Sequence, residues 1–329
     1  MGRLHNLEIF HAMAGRHLWK FFAACLLLSG CASLPDTQPF TDATLSLRSA
    51  VAASGTAVVA ELRRTPLPGI SSSATNLENA WKTRNGVMSA LVEYANSLQA
   101  ITDAGKKGEE SAKQLADAVN VLAQSLGAAS LGASEAGGLA IDTFGYVYGQ
   151  IAKARAAKSL ELALGEIQPA IERIATLLAA DQVKLDELIQ VAIEAEHDAL
   201  ETDNQREIGY RRQLVDSRRQ LMGIVGEELK KDKANITKIE RTDELGRLGE
   251  MLAATDSWNL TYTNQQNTIA ERGRIAREMI AATQAAFSDW AAGHARLLAA
   301  VRAKRTPSAV ELAAAATRIR ELVDRYRRL

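Results

Sequence analysis

The sequence predicts an all-α fold, an elongated antiparallel helical bundle with long coiled-coil-like helices, and three features of the chain lead to this class. Apolar residues recur at alternating spacings of three and four along most of the chain, which is the period of one helical face. Only 6 prolines interrupt 329 residues, and aromatic residues make up 5% of the composition. No segment shows the two-residue alternation of β-branched residues that a half-buried strand requires.

The first residues carry the pattern of an export signal. Arg16 and Lys20 precede an apolar run over residues 21–28, which is too short for a bilayer-spanning helix of about 20 residues. The run leads into Leu28-Ser29-Gly30-Cys31. Together these features resemble the signal peptide of bacterial lipoproteins, and they predict a signal over residues 1–30.

The resemblance implies that cleavage falls between Gly30 and Cys31 and that the Cys31 thiol carries a covalent lipid. Several acyl chains on one residue would hold the protein at a membrane almost permanently. Ala32 follows the cysteine, where an aspartate would indicate inner-membrane retention, so the resemblance favours the outer membrane. Met13 would begin a shorter signal than Met1 and is an alternative start.

A helical body is expected over residues 41–329, after a tether over residues 31–40. Phe40, Thr41 and Leu45 have the spacing of a hydrophobic staple around an N-cap threonine. The first helix should therefore begin there and run to about residue 64.

A loop over residues 65–73 is predicted by its Pro, Gly and Ser content, and Thr75 with Glu78 offers a capping box for the second helix. The second helix has an apolar stripe formed by Leu77, Trp81, Met88, Leu91, Ala95, Leu98 and Ile101. After a break at Gly105, the third helix continues the same period with Leu115, Val119, Leu122 and Leu126.

Pro169 is predicted to begin the central helix, because proline is favoured in a first turn. The apolar stripe there is Ile171, Ile174, Leu178, Leu185, Leu188 and Ala192, and further on Ile208, Val215, Met222 and Leu229 recur every seven residues. One unbroken helix from Pro169 to Lys231 would be roughly 90 Å long at about 1.5 Å per residue, which predicts an elongated molecule.

The carboxyl third repeats the pattern with Ala276, Ile280, Thr283, Phe287, Trp290, His294, Leu297 and Val301. Pro307 is expected to start a last helix with the stripe Leu312, Ala315, Ile319, Leu322, Tyr326 and Leu329. Apolar stripes left uncovered on such helices would bind a protein partner or a second copy of the chain through helix seams.

The segment over residues 125–149 departs from this pattern because it contains Gly127, Gly132, Gly137, Gly138, Gly145 and Gly149. Their intrinsic cost in a helix is roughly 5–6 kcal/mol relative to alanine. Three interpretations are open: close helix packing, a hinge or turn at Gly137 and Gly138, or conditional membrane insertion as in α-helical pore-forming toxins. Insertion would cost about 2.5–3.5 kcal/mol for each of Glu135 and Asp142 near the bilayer centre.

Composition and motifs exclude several classes of function. The 39 basic and 39 acidic residues leave no case for nucleic-acid binding, which requires a strongly basic face. Cys25 lies in the signal and Cys31 would carry the lipid, so the mature chain has no free thiol. Phosphate-binding glycine loops, serine-nucleophile elbows and zinc-protease motifs are absent from the sequence. We therefore expect no enzyme, no cofactor except the lipid, and no small-molecule substrate.

Two histidines follow the signal. Glu194 and His197 have the Glu-x-x-His spacing of di-iron bundles, but the sequence lacks the second copy that such a site needs, so we expect no metal. His294 falls on an apolar stripe, which predicts a buried, hydrogen-bonded histidine. A polar cluster after Trp258 contains Asn259, Tyr262, Asn264, Gln265, Gln266 and Asn267. This cluster either sets the register between helices or contacts a sugar.

These features together predict a non-enzymatic lipoprotein of the bacterial outer membrane with a structural or interaction role in the cell envelope. The membrane would be bound through the lipid, and a protein partner through the helix faces. The alternative is a pore-forming or membrane-perturbing protein that uses residues 125–149.

Overall fold

A computed structural model describes residues 34–105, 108–130, 137–230, 236–305 and 308–329. These residues form nine helices and no strand, so the prediction of an all-α fold is confirmed. The helices are α1 (Gln38–Arg64), α2 (Pro68–Asp103), α3 (Glu109–Ser130), α4 (Gly137–Arg155), α5 (Leu160–Asp203), α6 (Gln205–Lys230), α7 (Ile236–Ala254), α8 (Asp256–Ala303) and α9 (Val310–Tyr326).

The start of α1 differs from the prediction. The helix begins at Gln38, after Thr37, and has Pro39 in its first turn. Thr41 is therefore not an N-cap, and its buried hydroxyl donates to the Ala95 carbonyl oxygen of α2 at 3.1 Å. The fixed φ angle of proline favours the first helical turn, which explains why the helix extends beyond the expected staple.

The start of α2 was also predicted too late. Pro68 occupies the first turn of the helix, so the loop predicted over residues 65–73 shrinks to residues 65–67. Thr75 and Glu78 lie inside α2 and form no capping box. Proline again favours the first turn more strongly than a downstream cap does.

Pro169 does not begin a helix, contrary to the prediction. α5 starts at Leu160, where the Ser159 hydroxyl accepts from the Leu162 N–H at 3.3 Å. Pro169 lies inside this helix and removes one backbone hydrogen bond from it. The long central helix is also interrupted at Asn204, between α5 and α6.

Polar contacts show which helix ends lie together. Between α1 and α2, the hydroxyls of Thr37 and Thr102 are 2.8 Å apart, and Arg63 donates to Glu78 at 2.5 Å. The start of α1 therefore lies beside the end of α2, and the two helices run in opposite directions.

The two longest helices, α5 and α8, are paired in the same way. Arg302 near the end of α8 donates to Glu161 near the start of α5 at 3.2 Å. Trp258 near the start of α8 donates to Asn204, just after α5, at 3.0 Å. The pair therefore runs in opposite directions along its whole length.

The helices α6 and α7 form a two-helix arm, which we define as residues 205–254. Within the described residues they contact each other and, at their base, α5 and α8. Arg211 joins the two sides there, donating to the Leu252 carbonyl oxygen at 3.2 Å and to Asp256 at 2.9 Å. Leu214 is the one buried residue of α6.

The other seven helices form the body, whose core is continuous across them. The stripe predicted in the carboxyl third is buried on α8 at Ala276, Ile280, Thr283, Phe287, Trp290, His294 and Leu297. α1 is long and apolar enough to cross a membrane, but 56% of its most apolar window is buried in the body. This burial is what a core helix requires.

Candidate functional site

The residues predicted to carry function fall into two groups. Cys31, with the signal peptide before it, and Gly132 lie outside the described residues. Gly137 begins α4, Gly138 follows it, and Gly145 lies within the same helix.

The glycine-rich segment spans two consecutive helices that pack against each other. α3 ends at Ser130 and α4 begins at Gly137, on either side of residues 131–136. Among the described helices, the one that meets the length and hydropathy of a membrane span is α1, not α4. The packing, hinge and insertion interpretations of the segment stay predictions.

The Glu194 and His197 pair lies on α5. Glu194 is exposed and accepts a hydrogen bond from Gln190 at 2.9 Å, and His197 is half-buried. Within the described residues, no group of three or more His, Cys, Asp or Glu side chains is arranged to hold a metal ion.

His294 is completely buried and links three helices. Its Nε2 is 2.5 Å from the Tyr94 hydroxyl on α2, and its Nδ1 is 2.5 Å from Gln168 Oε1 on α5. The Gln168 amide nitrogen donates to Glu172 at 2.9 Å and to the Ala291 carbonyl at 3.4 Å. The amide oxygen of Gln168 must therefore accept from the Nδ1–H of His294, so Nε2 accepts from the Tyr94 hydroxyl.

Burial holds this histidine in its neutral form. It lowers the pKa of His294 to about 3 and raises the pKa of the Tyr94 hydroxyl well above its usual range. A general acid or base works best with a pKa near the operating pH. His294 therefore has a structural role and links α2, α5 and α8 by hydrogen bonds. Its place on the apolar stripe predicted a buried, hydrogen-bonded histidine of this kind.

A second buried polar network lies at the opposite end of α1. The Glu61 side chain is 0% exposed and accepts from Arg272 Nε of α8 at 3.2 Å. Arg272 also donates to Glu196 of α5, and Glu61 accepts from the Tyr326 hydroxyl of α9 and from Arg64. One carboxylate thus joins α1, α8 and α9, and the guanidinium extends the network to α5.

The network keeps its charges paired. Burial opposes the charge on Arg272, but the hydrogen bonds and charges of Glu196 and Glu61 outweigh it and raise the pKa of the guanidinium. Burial, followed by the hydrogen bond to Glu61, raises the pKa of the Tyr326 hydroxyl well above its usual range. Removal of one partner from such a cluster leaves an uncompensated buried charge.

A polar groove of about 480 Å³ opens beside this network, between α5 and α8. Its lining consists of Glu196, Leu200, Thr261, Asn264, Gln265, Thr268, Ile269 and Arg272. The rim is rich in amides and hydroxyls, while Arg272 is 9% exposed and forms the floor. We call this feature the α5–α8 groove.

The groove contains only part of the polar cluster predicted after Trp258. Asn264 and Gln265 line it, whereas Gln266 donates to Tyr262 at 2.7 Å on the same helix. Sequence reasoning missed the floor residue Arg272. A charged residue on the apolar stripe between Ile269 and Ala276 was the signal that could have found it, since a stripe charge requires a buried partner.

The chain offers this groove, two buried polar networks and the arm as its distinctive features. No family model, no curated protein and no solved structure matches the chain.

Proposed function

We propose that this protein is a non-enzymatic, lipid-anchored component of the bacterial outer membrane that binds another envelope component through its helix faces. The lipobox-like motif ending at Cys31 supports the anchor. The arm defined by α6 and α7 supports the binding role, and it is the observation on which this proposal depends most.

We further propose that the molecule is an elongated antiparallel bundle with coiled-coil-like helices. α5 has 44 residues and α6 has 26. At about 1.5 Å per residue the two helices are roughly 105 Å long end to end, several times the diameter of a small domain. Elongation of this kind suits a protein that bridges two layers of an envelope.

The position of the arm relative to the start of the chain favours an arm that extends away from the membrane. The start of α1 lies beside the later part of α8, where the rings of Phe40 and Trp290 are 6.2 Å apart. The end of α1 lies beside the later part of α5, where Thr65 donates to the Ala192 carbonyl at 3.4 Å. The arm begins beyond that point, so the described chain starts at one end of the body and the arm starts at the other.

The arm also leaves apolar side chains open for a partner. Exposed fractions are 55% for Met222, 46% for Ile224, 55% for Leu229 and 41% for Met251. A helix pair with one buried residue on α6 has little core of its own, so covering these side chains would be favourable at about 25 cal/mol per Å² of apolar area buried. Envelope proteins with amphipathic helices are suitable partners.

The anchor is tested with a matched pair of cysteine variants. Cys31→Ser removes the lipidated sulfur, and Cys25→Ser changes a cysteine inside the signal. We expect Cys31→Ser to leave the outer-membrane fraction while Cys25→Ser stays in it with the wild-type protein. Membrane retention of Cys31→Ser, together with mass spectra of the native protein that lack fatty acyl groups, would refute the anchor.

The binding role is tested by site-specific photocrosslinking in intact cells. A crosslinker at Met222 samples the arm, and one at Leu162, which is 54% exposed, samples the opposite end of the body. We expect a defined crosslinked protein band from Met222 and none from Leu162. Identical patterns from the two positions would contradict the arm as the binding element.

A further inference from the structure

We propose that the α5–α8 groove is a binding site for a neutral carbohydrate of one to two sugar rings. This inference goes beyond the proposed function, because it assigns a ligand class to a site that neither the anchor nor the arm requires. It also revises the expectation that no small ligand is bound.

The charge of the groove favours a ligand without net charge. Arg272 is its one cation, and this guanidinium already holds hydrogen bonds with the carboxylates of Glu61 and Glu196. An anionic ligand would meet Glu196, and a cationic ligand would meet Arg272. The other lining residues are neutral.

The hydrogen-bonding groups of the rim are complementary to the hydroxyl groups of a sugar. Within the described residues, the side-chain amides of Asn264 and Gln265 make no hydrogen bond, so each presents both a donor and an acceptor. The hydroxyls of Thr261 and Thr268 donate to carbonyls of their own helix at 3.0 and 2.9 Å, which leaves their lone pairs as acceptors. A sugar hydroxyl both donates and accepts, so it satisfies such a mixed rim.

The floor contributes one more donor. Arg272 Nε faces Glu61 and its Nη2 faces Glu196, while its Nη1 has no hydrogen-bond partner in the described part of the chain. A hydroxyl or acetamido oxygen in the groove would accept a hydrogen bond from this nitrogen.

The groove also offers apolar surface for the C–H face of a sugar ring. Leu200 and Ile269 line it from opposite helices.

The size of the groove is compatible with this ligand class. Its volume of about 480 Å³ falls within the roughly 300–1,000 Å³ of small-molecule sites. The α5–α8 groove thus combines lining residues of zero net charge, hydrogen-bond donors and acceptors, apolar walls and sufficient volume.

The test is titration of the full mature chain with two neutral probes, tetra-N-acetylchitotetraose and maltotetraose, followed by calorimetry and by amide chemical shifts. We expect saturable binding of at least one probe, with shift changes confined to residues near 196–200 and 261–272, which line the groove from α5 and α8. Acidic oligogalacturonate should not bind, because its carboxylates would meet Glu196.

A matched pair of variants distinguishes binding from a role in helix register. The double variant Asn264→Ala with Gln265→Ala removes the free amides and should weaken binding at least tenfold. Asn267→Ala changes an exposed amide on the other side of α8 and should leave the affinity unchanged, with all three chains unfolding at the same temperature. Failure of both neutral probes to bind, or equal affinity in the double variant, would overturn the proposal.

Discussion

At the scale of single residues, the packing of Trp81 on α2 against α1 depends on a glycine. A Cβ atom at Gly55 would lie 1.8 Å from the indole nitrogen of Trp81, which is 5% exposed. Gly55→Ala should therefore lower the free energy of unfolding by about 1–3 kcal/mol, because the tryptophan must move within a packed core. Urea denaturation followed by circular dichroism measures the change.

Gly86→Ala is the control for this prediction. Gly86 also lies inside a long helix, but a Cβ atom there would meet open space. Alanine should raise the free energy of unfolding by up to about 1 kcal/mol through its higher helix propensity. Equal effects of the two substitutions would show that packing against Trp81 is not the cause.

Loss of the Glu61 carboxylate should lower the free energy of unfolding more than the substitution at Gly55 does. Glu61→Ala removes the carboxylate that holds Arg272 and the Tyr326 hydroxyl, leaving a buried guanidinium with Glu196 alone. We expect the free energy of unfolding to fall by about 3–5 kcal/mol. Glu187→Ala, which breaks an exposed pair with Lys184, should cost less than about 1 kcal/mol. A loss at Glu61 as small as that control would contradict a net stabilising network.

The buried histidine predicts a pH dependence of stability. His294 takes up a proton near pH 6.5 in the unfolded chain but only near pH 3 in the folded protein. Between these values the unfolded state binds more protons, so the free energy of unfolding falls as the pH is lowered below about 6.5. The slope approaches about 1.4 kcal/mol per pH unit, which amounts to about 2 kcal/mol by pH 5.

The variant His294→Gln isolates this contribution. It should be less stable than the wild-type protein at pH 7, where the neutral histidine bonds Tyr94 and Gln168, and the difference should narrow as the pH falls to 5. Chemical denaturation at several pH values measures the free energy of unfolding of both chains. Their carboxylates are the same, so the difference between the two pH profiles reports the contribution of His294. Parallel profiles for the two chains would contradict the assignment.

At the scale of helices, apolar periodicity predicted which faces are buried better than where helices begin. The stripe through Phe287, Trp290 and His294 was predicted in the correct register, because burial of large apolar side chains dominates the packing of a helix. Helix starts were predicted less well. Pro39 and Pro68 are first-turn residues, whereas Pro169 is tolerated inside α5, and the residue type alone does not distinguish these cases.

The polar residues of the site were the least predictable part. Asn264 and Gln265 were recognised as a polar cluster, but their neighbours in the groove come from another helix. Glu196 lies on α5, far away in sequence, and only the pairing of α5 with α8 brings it to Arg272. Periodicity gives the face of one helix, not the partner that the face meets.

The packing of the glycine-rich segment leads to a prediction about membrane leakage. Because α3 and α4 pack on each other and on α5 in the body, we expect the delipidated protein to cause no dye release from phosphatidylethanolamine and phosphatidylglycerol vesicles. The variant with Gly137→Asp and Gly138→Asp should behave identically. Release by the native chain that this variant abolishes would instead favour the membrane-perturbing alternative.

At the scale of the whole molecule, the division into body and arm separates stability from binding. The buried networks around His294 and Glu61 join helices of the body. The arm adds one buried residue from α6 and leaves large apolar side chains exposed. A segment with few buried contacts contributes little to global stability and opens at low free-energy cost.

Removal of the arm tests this division. The two helices are adjacent at their base, where Arg211 donates to the Leu252 carbonyl, so a short Gly-Ser linker can replace residues 212–251 across a helix spacing of about 10 Å. The shortened chain should stay helical and unfold within about 4 °C of the full chain, the shift expected for a loss of about 1 kcal/mol. It should also retain membrane association through Cys31 and, after formaldehyde crosslinking in intact cells, no longer co-purify with the protein that the Met222 crosslinker captures in the full chain. A fall of 10 °C or more in Tm would mean that the arm belongs to the folding core, and an unchanged set of crosslinked neighbours would place partner binding on the body.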